Sequence, residues 1–418
     1  MSRRPRSHRV RLASAVVAVA ALTACGGAAP LTEGPAVEYR GARVPVEVGE
    51  VTARDVAAAQ SAFGFDLLHR VCAKDPGADV LVSPTSAAEA LSLLYGAARG
   101  QTAQDVGALL RLPAWSPDLV AGIQAHTEAL EALRNDGDHD AEDAPDSLAM
   151  SNRIWPRSGI VPEQAYLDDV ATALGAQVQT LDFGGDPGGS TDTINRSVSD
   201  DTDGLIEKLF DPALPGTTTM VLTNAVHLKA RWLSPFALTS PTTFATPSGD
   251  TTVAMMSGAS GTARSADGWL SVELPYRDGT LTAVAILPPE GADPCGVDGA
   301  VMEALDAADP GAVDVELPRF ELEQTHGLLE VMAAMGLPLD GDYSGLGDGL
   351  GEISDVLQKT YIRVDEAGTE AAAATGIVFG VSMPAPRPVV TFDRPFVLVL
   401  TDTATRSPLF LSVVNDPS

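Results

Sequence analysis

The sequence predicts an α+β fold. Helical patterns crowd its first half, apolar strand-like runs crowd its second, and the two do not alternate as parallel βαβ units would. Helices are read near 55–72, 85–98, 102–111, 116–134, 162–174 and 190–210, then near 297–308 and 325–336. The first rests on the apolar set Phe63, Phe65, Leu67, Leu68 and Val71; the second follows Ser83, read as a helix cap, and runs from Ala87 to Ala98. Strands are read near 218–231, 269–275, 280–287, 312–322, 359–365 and 388–414, the last carrying Val397-Leu398-Val399-Leu400 and Leu409-Phe410-Leu411.

Composition bounds the class. The chain has 418 residues, 45% hydrophobic, 20% charged and 5% aromatic, a soluble globular balance that admits one large domain or two to three ordinary ones. No internal repeat is visible. The net charge is −29; without the first 24 residues, which hold five arginines and no acid, 22 basic and 56 acidic residues leave −34. Such a surface repels nucleic acid, anionic lipid and glycan. The acidic stretch from Asp136 to Asp146 lacks the ordered ligand spacing and closing Glu of a calcium loop, and reads as a solvated, mobile loop. No metal ligand set and no cofactor motif is found.

The N-terminus is a targeting segment rather than structure. Five arginines to Arg11 precede an apolar run from Leu12 to Leu22, too short for a comfortable membrane span. It ends in Leu22-Thr23-Ala24-Cys25-Gly26, which resembles the bacterial lipobox. That resemblance implies a signal peptide over 1–24, lipidation of Cys25, and a protein anchored on the outer face of a bacterial membrane or released from it. Residues 25–54, rich in Gly, Ala, Pro and Val, read as a tether, and 55–418 as the domain. Export permits a disulfide between Cys72 and Cys295. The apolar setting of Cys72 equally suits a buried free thiol, which is the reading the sequence favours.

Enzyme motifs are absent. No Ser-x-x-Lys precedes any of the four lysines (Lys74, Lys208, Lys229, Lys359), and there is no Gly-x-Ser-x-Gly elbow. The histidines are scattered: His69 and His126 fall on helices, where packing or surface roles are the ordinary ones, and His227 falls in a predicted strand. A solute-binding lipoprotein is the remaining alternative class. It has no need of the segment described next.

That segment is Glu366-Ala367-Gly368-Thr369-Glu370-Ala371-Ala372-Ala373-Ala374-Thr375-Gly376. Alanine propensity alone reads it as a short helix. The residues also suit a loop that becomes a strand, with Gly368 as a swivel. In such a strand Thr369, Ala371, Ala373 and Thr375 share one face, all small and uncharged, and Glu370 takes the other.

The segment resembles the reactive-loop hinge of serpins, and the resemblance extends over roughly 55–418. Phe392-Asp393-Arg394-Pro395-Phe396, Val413-Val414-Asn415-Asp416-Pro417, Ser83-Pro84-Thr85-Ser86, Thr223-Asn224-Ala225-Val226-His227-Leu228-Lys229-Ala230-Arg231-Trp232, Leu317-Pro318-Arg319-Phe320 and Met335-Gly336-Leu337 match the family in order. The resemblance implies the serpin fold, three β-sheets with eight to nine helices and an exposed reactive loop. It also implies a monomeric suicide-substrate inhibitor rather than an enzyme. A target serine protease attacks the loop, forms an acyl-enzyme, and is trapped in a covalent one-to-one complex as the cleaved loop inserts into the main sheet. A substrate-like or non-inhibitory serpin is the alternative.

Counting from Glu366 by the family's usual hinge length places the cut between Ser382 and Met383, with Val381 as the alternative. These residues are small or apolar, so the expected target is elastase-, chymotrypsin- or subtilisin-like; a trypsin-like pocket needs Arg or Lys. Pro384, Pro386 and Pro388 hold the distal loop extended. The helix at 116–134 carries Asp118, Glu128 and Glu131 with few bases, so no heparin-like polyanion is expected as a partner. By resemblance, Glu366 pairs with Arg319 near Trp232 at the breach, and Ser83, Ser86 and Asn224 form the shutter beneath the sheet. Four positions depart from the family: Arg319 takes the place of its usual Lys, Gln358 of its His, Ser197 of its aromatic and Ser412 of its Gly.

Overall fold

The structure, a computed structural model, describes residues 36–47, 49–134, 146–202, 204, 206–369 and 387–418. Eight α-helices occur among them: α1 (Ala53–Cys72), α2 (Pro84–Ala97), α3 (Gly100–Leu110), α4 (Pro117–Glu131), α5 (Gln164–Leu174), α6 (Pro187–Asp201), α7 (Gly299–Ala307) and α8 (Leu329–Ala334). Their starts are written locally. Thr52 and Asp55 form a capping box on α1, and Ser83, Ser116, Asp186 and Asp298 cap α2, α4, α6 and α7 through their side chains. Every residue of α2 is buried, so this helix sits inside the molecule.

Three sheets accompany the helices. A two-stranded sheet pairs β1 (Val37–Tyr39) with β4 (Val178–Thr180). The nine-stranded sheet contains β2 (Val80–Val82), β6 (Leu238–Thr246), β7 (Gly249–Ala266), β8 (Trp269–Pro275), β9 (Leu281–Leu287), β10 (Gly311–Pro318), β14 (Val389–Thr391), β15 (Phe396–Asp402) and β16 (Pro408–Val414). The five-stranded sheet has the order β11 (Phe320–Gly327), β12 (Asp355–Val364), β13 (Gly368–Thr369), β5 (Met220–Arg231) and β3 (Ser147–Pro156). A hydrophobic cluster joins the two larger sheets, with Leu228, Trp232 and Ile362 on one side and Phe396, Leu398 and Phe410 on the other. The three β-sheets and eight helices that the resemblance implies are therefore present among the described residues.

Several expectations are corrected. Part of the stretch read as a tether is docked: β1 pairs with β4, the Ala42 and Val44 amides donate to Asp168 Oδ1 and Thr172 Oγ1 of α5, and Thr52 caps α1. Cys72 and Cys295 form a disulfide, Cα atoms 6.4 Å apart, tying the end of α1 to the segment before α7. It closes a loop across 223 residues, worth up to about 5 kcal/mol by loop-closure entropy. The helix read over 190–210 ends at Asp201, and the one read over 325–336 is strand to Gly327 before α8. The run at 312–322 is two strands broken at Pro318-Arg319, where the Arg319 amide bonds to the Ala254 carbonyl at 2.8 Å. Asp146, read within a solvated loop, is 8% exposed. Its amide donates to Asp278 and its Oδ1 accepts from the Arg231 amide, and burial pushes its carboxyl up to about 6.

Candidate functional site

The site is the seam between β12 and β5. Over its lower half the strands run parallel and pair directly, Asp355–Thr360 against Val221–Val226. Above Thr360 they no longer pair directly, and among the described residues two residues of the hinge lie between them at the top of the gap. Thr369 pairs with Val364 on one side and Ala230 on the other, while Gly368 pairs with Arg231. A Cβ on Gly368 would lie 2.0 Å from the Ala230 carbonyl oxygen. Close approach alone therefore requires a glycine here.

Thr369 is fully buried, and its Oγ1 lies 2.6 Å from the Tyr276 hydroxyl. Tyr276 stacks on Trp232 with ring centroids 4.5 Å apart. Trp232 then holds the chain leading into the hinge: its indole NH donates to the Asp365 carbonyl at 3.0 Å and its amide to the Ala367 carbonyl at 2.9 Å. The Asp365 carboxylate accepts the amides of Ala367 and Gly368, closing a tight turn. Arg319 donates to both carboxylate oxygens of Glu366, the second at 2.6 Å, and Thr239 donates to the first. Partial burial pushes the Glu366 carboxyl up, but Thr239 and Arg319 outweigh it and hold the group below its ordinary range. Glu370, Ala371, Ala372, Ala373, Ala374, Thr375, Val381, Ser382, Met383 and Cys25 lie outside the described residues.

Beneath the lower half, a buried polar network crosses the sheet. Gln358 of β12 and Asn224 of β5 are register partners. The Gln358 side chain accepts the Ser83 amide at 3.0 Å and donates to the Ser83 carbonyl at 2.9 Å and to Asn224 Oδ1. Asn224 Nδ2 donates to Ser86 Oγ at 2.5 Å and to Asn152 Oδ1 at 2.8 Å, and Ser86 Oγ donates to the same Asn152 oxygen. Gln358 thus serves as both donor and acceptor where the family's His is usual. Of the other departures, Ser197 is half-buried on α6, and Ser412 is buried in β16 with no hydrogen-bond partner for its Oγ.

Sequence reasoning missed two members of this network. Asn152 of β3 donates to Glu89 Oε2 of α2 at 2.7 Å. Strand β3 went unread because polar Ser151 and Asn152 interrupt its alternation. Glu89 carried a usable signal, as a single acid inside an otherwise apolar helix.

Relatives are recognisable by both sequence and shape. The family model described as serpin (serine protease inhibitor) matches residues 58–417. An uncharacterised serpin-like protein of Thermococcus kodakarensis is 30% identical, with 87% of this chain and 86% of that one covered. The leukocyte elastase inhibitor of Bos taurus is 27% identical, covering 87% and 99%. Among solved structures, the thermophilic serpin tengpin in its native state gives a TM-score of 0.79 at 23% identity, covering 92% of this chain and 100% of that one. Human thyroxine-binding globulin gives 0.75 at 24%, covering 88% and 99%. A parted seam that seats the first hinge residues, in a chain matching the family from 58 to 417, leads to one conclusion: this chain belongs to the serpin family.

Proposed function

We propose that this serpin is a suicide-substrate inhibitor of an elastase-, chymotrypsin- or subtilisin-like serine protease. The observation that carries the reading is the seam. Its upper half is already parted and lined for a strand, and the hinge residues seated in it, Gly368 and Thr369, are small and uncharged. Continuing that strand places Ala371, Ala373 and Thr375 on the same buried face as Thr369, so the first half of the insertion meets no bulky side chain and none of that face is charged. A protease acylated at Ser382 is carried with the inserting strand before water releases it. The similarity to a leukocyte elastase inhibitor supports an apolar-pocket target. Cys25 is the proposed lipid attachment, holding the protein at the outer membrane face.

The test mixes the domain with elastase, chymotrypsin, subtilisin and trypsin and separates the products on denaturing gels. A detergent-stable complex with one of the first three, with a C-terminal peptide beginning at Met383, is expected. Cleavage without a complex by all of them, and no rise in thermal stability afterwards, overturns the reading in favour of a non-inhibitory serpin.

A further inference from the structure

The helix α2 is bonded to both sides of the seam. Toward β12, Ser83 exchanges two hydrogen bonds with Gln358. Toward β3, Ser86 and Glu89 hold the two ends of the Asn152 amide. Strands β3 and β5 are paired over ten residues, Ser147–Pro156 against Met220–Lys229, so they move as one when β12 and β5 separate. Admitting a new strand therefore strains one of the two attachments. Only the Glu89 attachment contains a titratable group.

The surroundings of Glu89 are unusual. It is 7% exposed; Oε2 accepts from Asn152, and Oε1 has no hydrogen bond. Facing Oε1 at 3.9 Å is Nδ1 of His126, from α4. This contact is not an ion pair at neutral pH, because burial pulls the His126 imidazole down to about 4 despite the charge of Asp402 behind it. Beside Glu89 lies a cavity of about 620 Å³ between α4, β3 and the ends of α5 and α6. Its other charged walls are Glu38, Glu131, Arg134, Arg153 and Asp201. Asp201 is held by Arg153, Glu131 by Arg43 and Glu38 by Arg40, leaving Glu89 as the one acid on this wall, among the described residues, without a cationic partner.

We propose that Glu89 is a proton-dependent clasp between α2 and β3 that sets how readily the β12–β5 seam opens. The proposal rests on the insertion reading above and assigns one residue a role in it. An ionised carboxylate in this pocket is a buried charge that a single amide donor does not offset. Burial accordingly pushes the Glu89 carboxyl up to about 7, against the Asn152 hydrogen bond and with a smaller push from the charge of Glu131. The sign follows from linkage. A carboxyl raised in the closed state favours that state at pH below the value it takes once the seam has opened. The advantage fades as pH rises toward 7, and no further change follows above it. Seam opening, which lets water from the cavity reach Glu89, is therefore faster above pH 7 than below it.

The test needs no protease. The native chain is incubated between pH 5.5 and 8.5 with an acetylated, amidated peptide of residues 371–382, which has no ionisable side chain. Annealing of the peptide as an added strand is followed by native-gel mobility and by the rise in thermal midpoint. The expected annealing rate rises about tenfold across a step centred near pH 7, the factor for a carboxyl pKa that falls by one as the seam opens. In Glu89→Gln the rate is expected to be flat and equal to the slow, low-pH rate. If that variant does not fold, Glu89→Asp serves, with the step kept but its midpoint moved. A flat wild-type profile overturns the proposal, as does an unchanged step in Glu89→Gln or an unmoved one in Glu89→Asp. Failure of the peptide to anneal at any pH, with no stability gain after loop cleavage, overturns the insertion reading and this proposal with it.

Discussion

The two halves of the β12–β5 seam are closed by different means. The lower half is a backbone ladder of six register pairs, with the side chains of Gln358, Asn224 and Ser83 buried beneath it. In the upper half β12 and β5 are not paired directly, and among the described residues Gly368 and Thr369 lie between them at the top, held by Tyr276, Trp232 and the Arg319–Glu366 pair. A ladder opens cooperatively, and its buried amides cost free energy when unpaired. Single side-chain contacts release one at a time. Changes in the upper half should therefore act on the loop, and changes in the lower half on the stability of the whole sheet.

The largest effect is expected where insertion is blocked at its start, in the upper half. Thr369→Arg places a charge at a fully buried position at the head of the inserting face. We expect complete conversion to substrate: the loop is cut, no detergent-stable complex forms, and cleavage brings no gain in thermal stability. Inhibition at the wild-type rate by this variant contradicts insertion as the mechanism.

The next effect isolates the lower half. Gln358→Ala strands the Ser83 amide and Asn224 Oδ1, both buried, at a cost of about 1–3 kcal/mol each. Thermal or denaturant unfolding should register a loss of about 3 kcal/mol, with spontaneous loss of inhibitory activity accelerated. A stability unchanged within error means the network is dispensable and that β12 is held by its ladder alone.

The upper half is probed by acid. Glu366 is held below its ordinary value of 4.5, so its pairing with Arg319 stabilises the seated hinge above that pH. The contribution is lost as pH falls through the lowered value. Both side chains are partly exposed, 47% for Arg319 and 23% for Glu366, so solvent screening limits the pair to about 1 kcal/mol. Glu366→Gln should reproduce at pH 7 the hinge release that wild type shows only below pH 4.5, read as faster proteolysis near residue 370. Equal protease sensitivity of variant and wild type at pH 7 removes the pair from the account of hinge seating.

Much of this seam was legible in the sequence, for different reasons in its two halves. Thr369, Glu366, Arg319 and Trp232 stand in runs whose order matches a known family, and Ser83 and Asn224 likewise. The start of α2 was legible because its Ser83 cap acts within four residues. Strands β3, β6 and β7 were not. The partner of β3 is β5, distant in sequence, β6 is largely exposed, and Ser151, Asn152, Thr242 and Thr252 break the apolar alternation that would reveal a strand. The Cys72–Cys295 bond was open for the same reason, since sequence does not give a separation of 6.4 Å across 223 residues. Glu89 was visible as an oddity in an apolar helix, but its role depends on Asn152 and His126, which only the fold brings to it.

The smallest expected effect tests whether the upper half is latched at all. Tyr276→Phe removes the hydroxyl that meets Thr369 Oγ1 while keeping the ring stacked on Trp232. The lost hydrogen bond is worth about 1 kcal/mol, and the threonine hydroxyl left in a buried seam adds to the penalty. Since that penalty falls only on the seated hinge, the ratio of seated to released hinge should drop about fivefold or more, with global stability nearly unchanged once the hinge is free. Hydrogen exchange separates the two: the Thr369 and Ala230 amides should exchange faster in the variant, while Leu222 and Val356 of the lower ladder keep wild-type protection. Equal acceleration in both halves would mean that the seam opens as one unit, and that the division drawn here between latch and ladder is wrong.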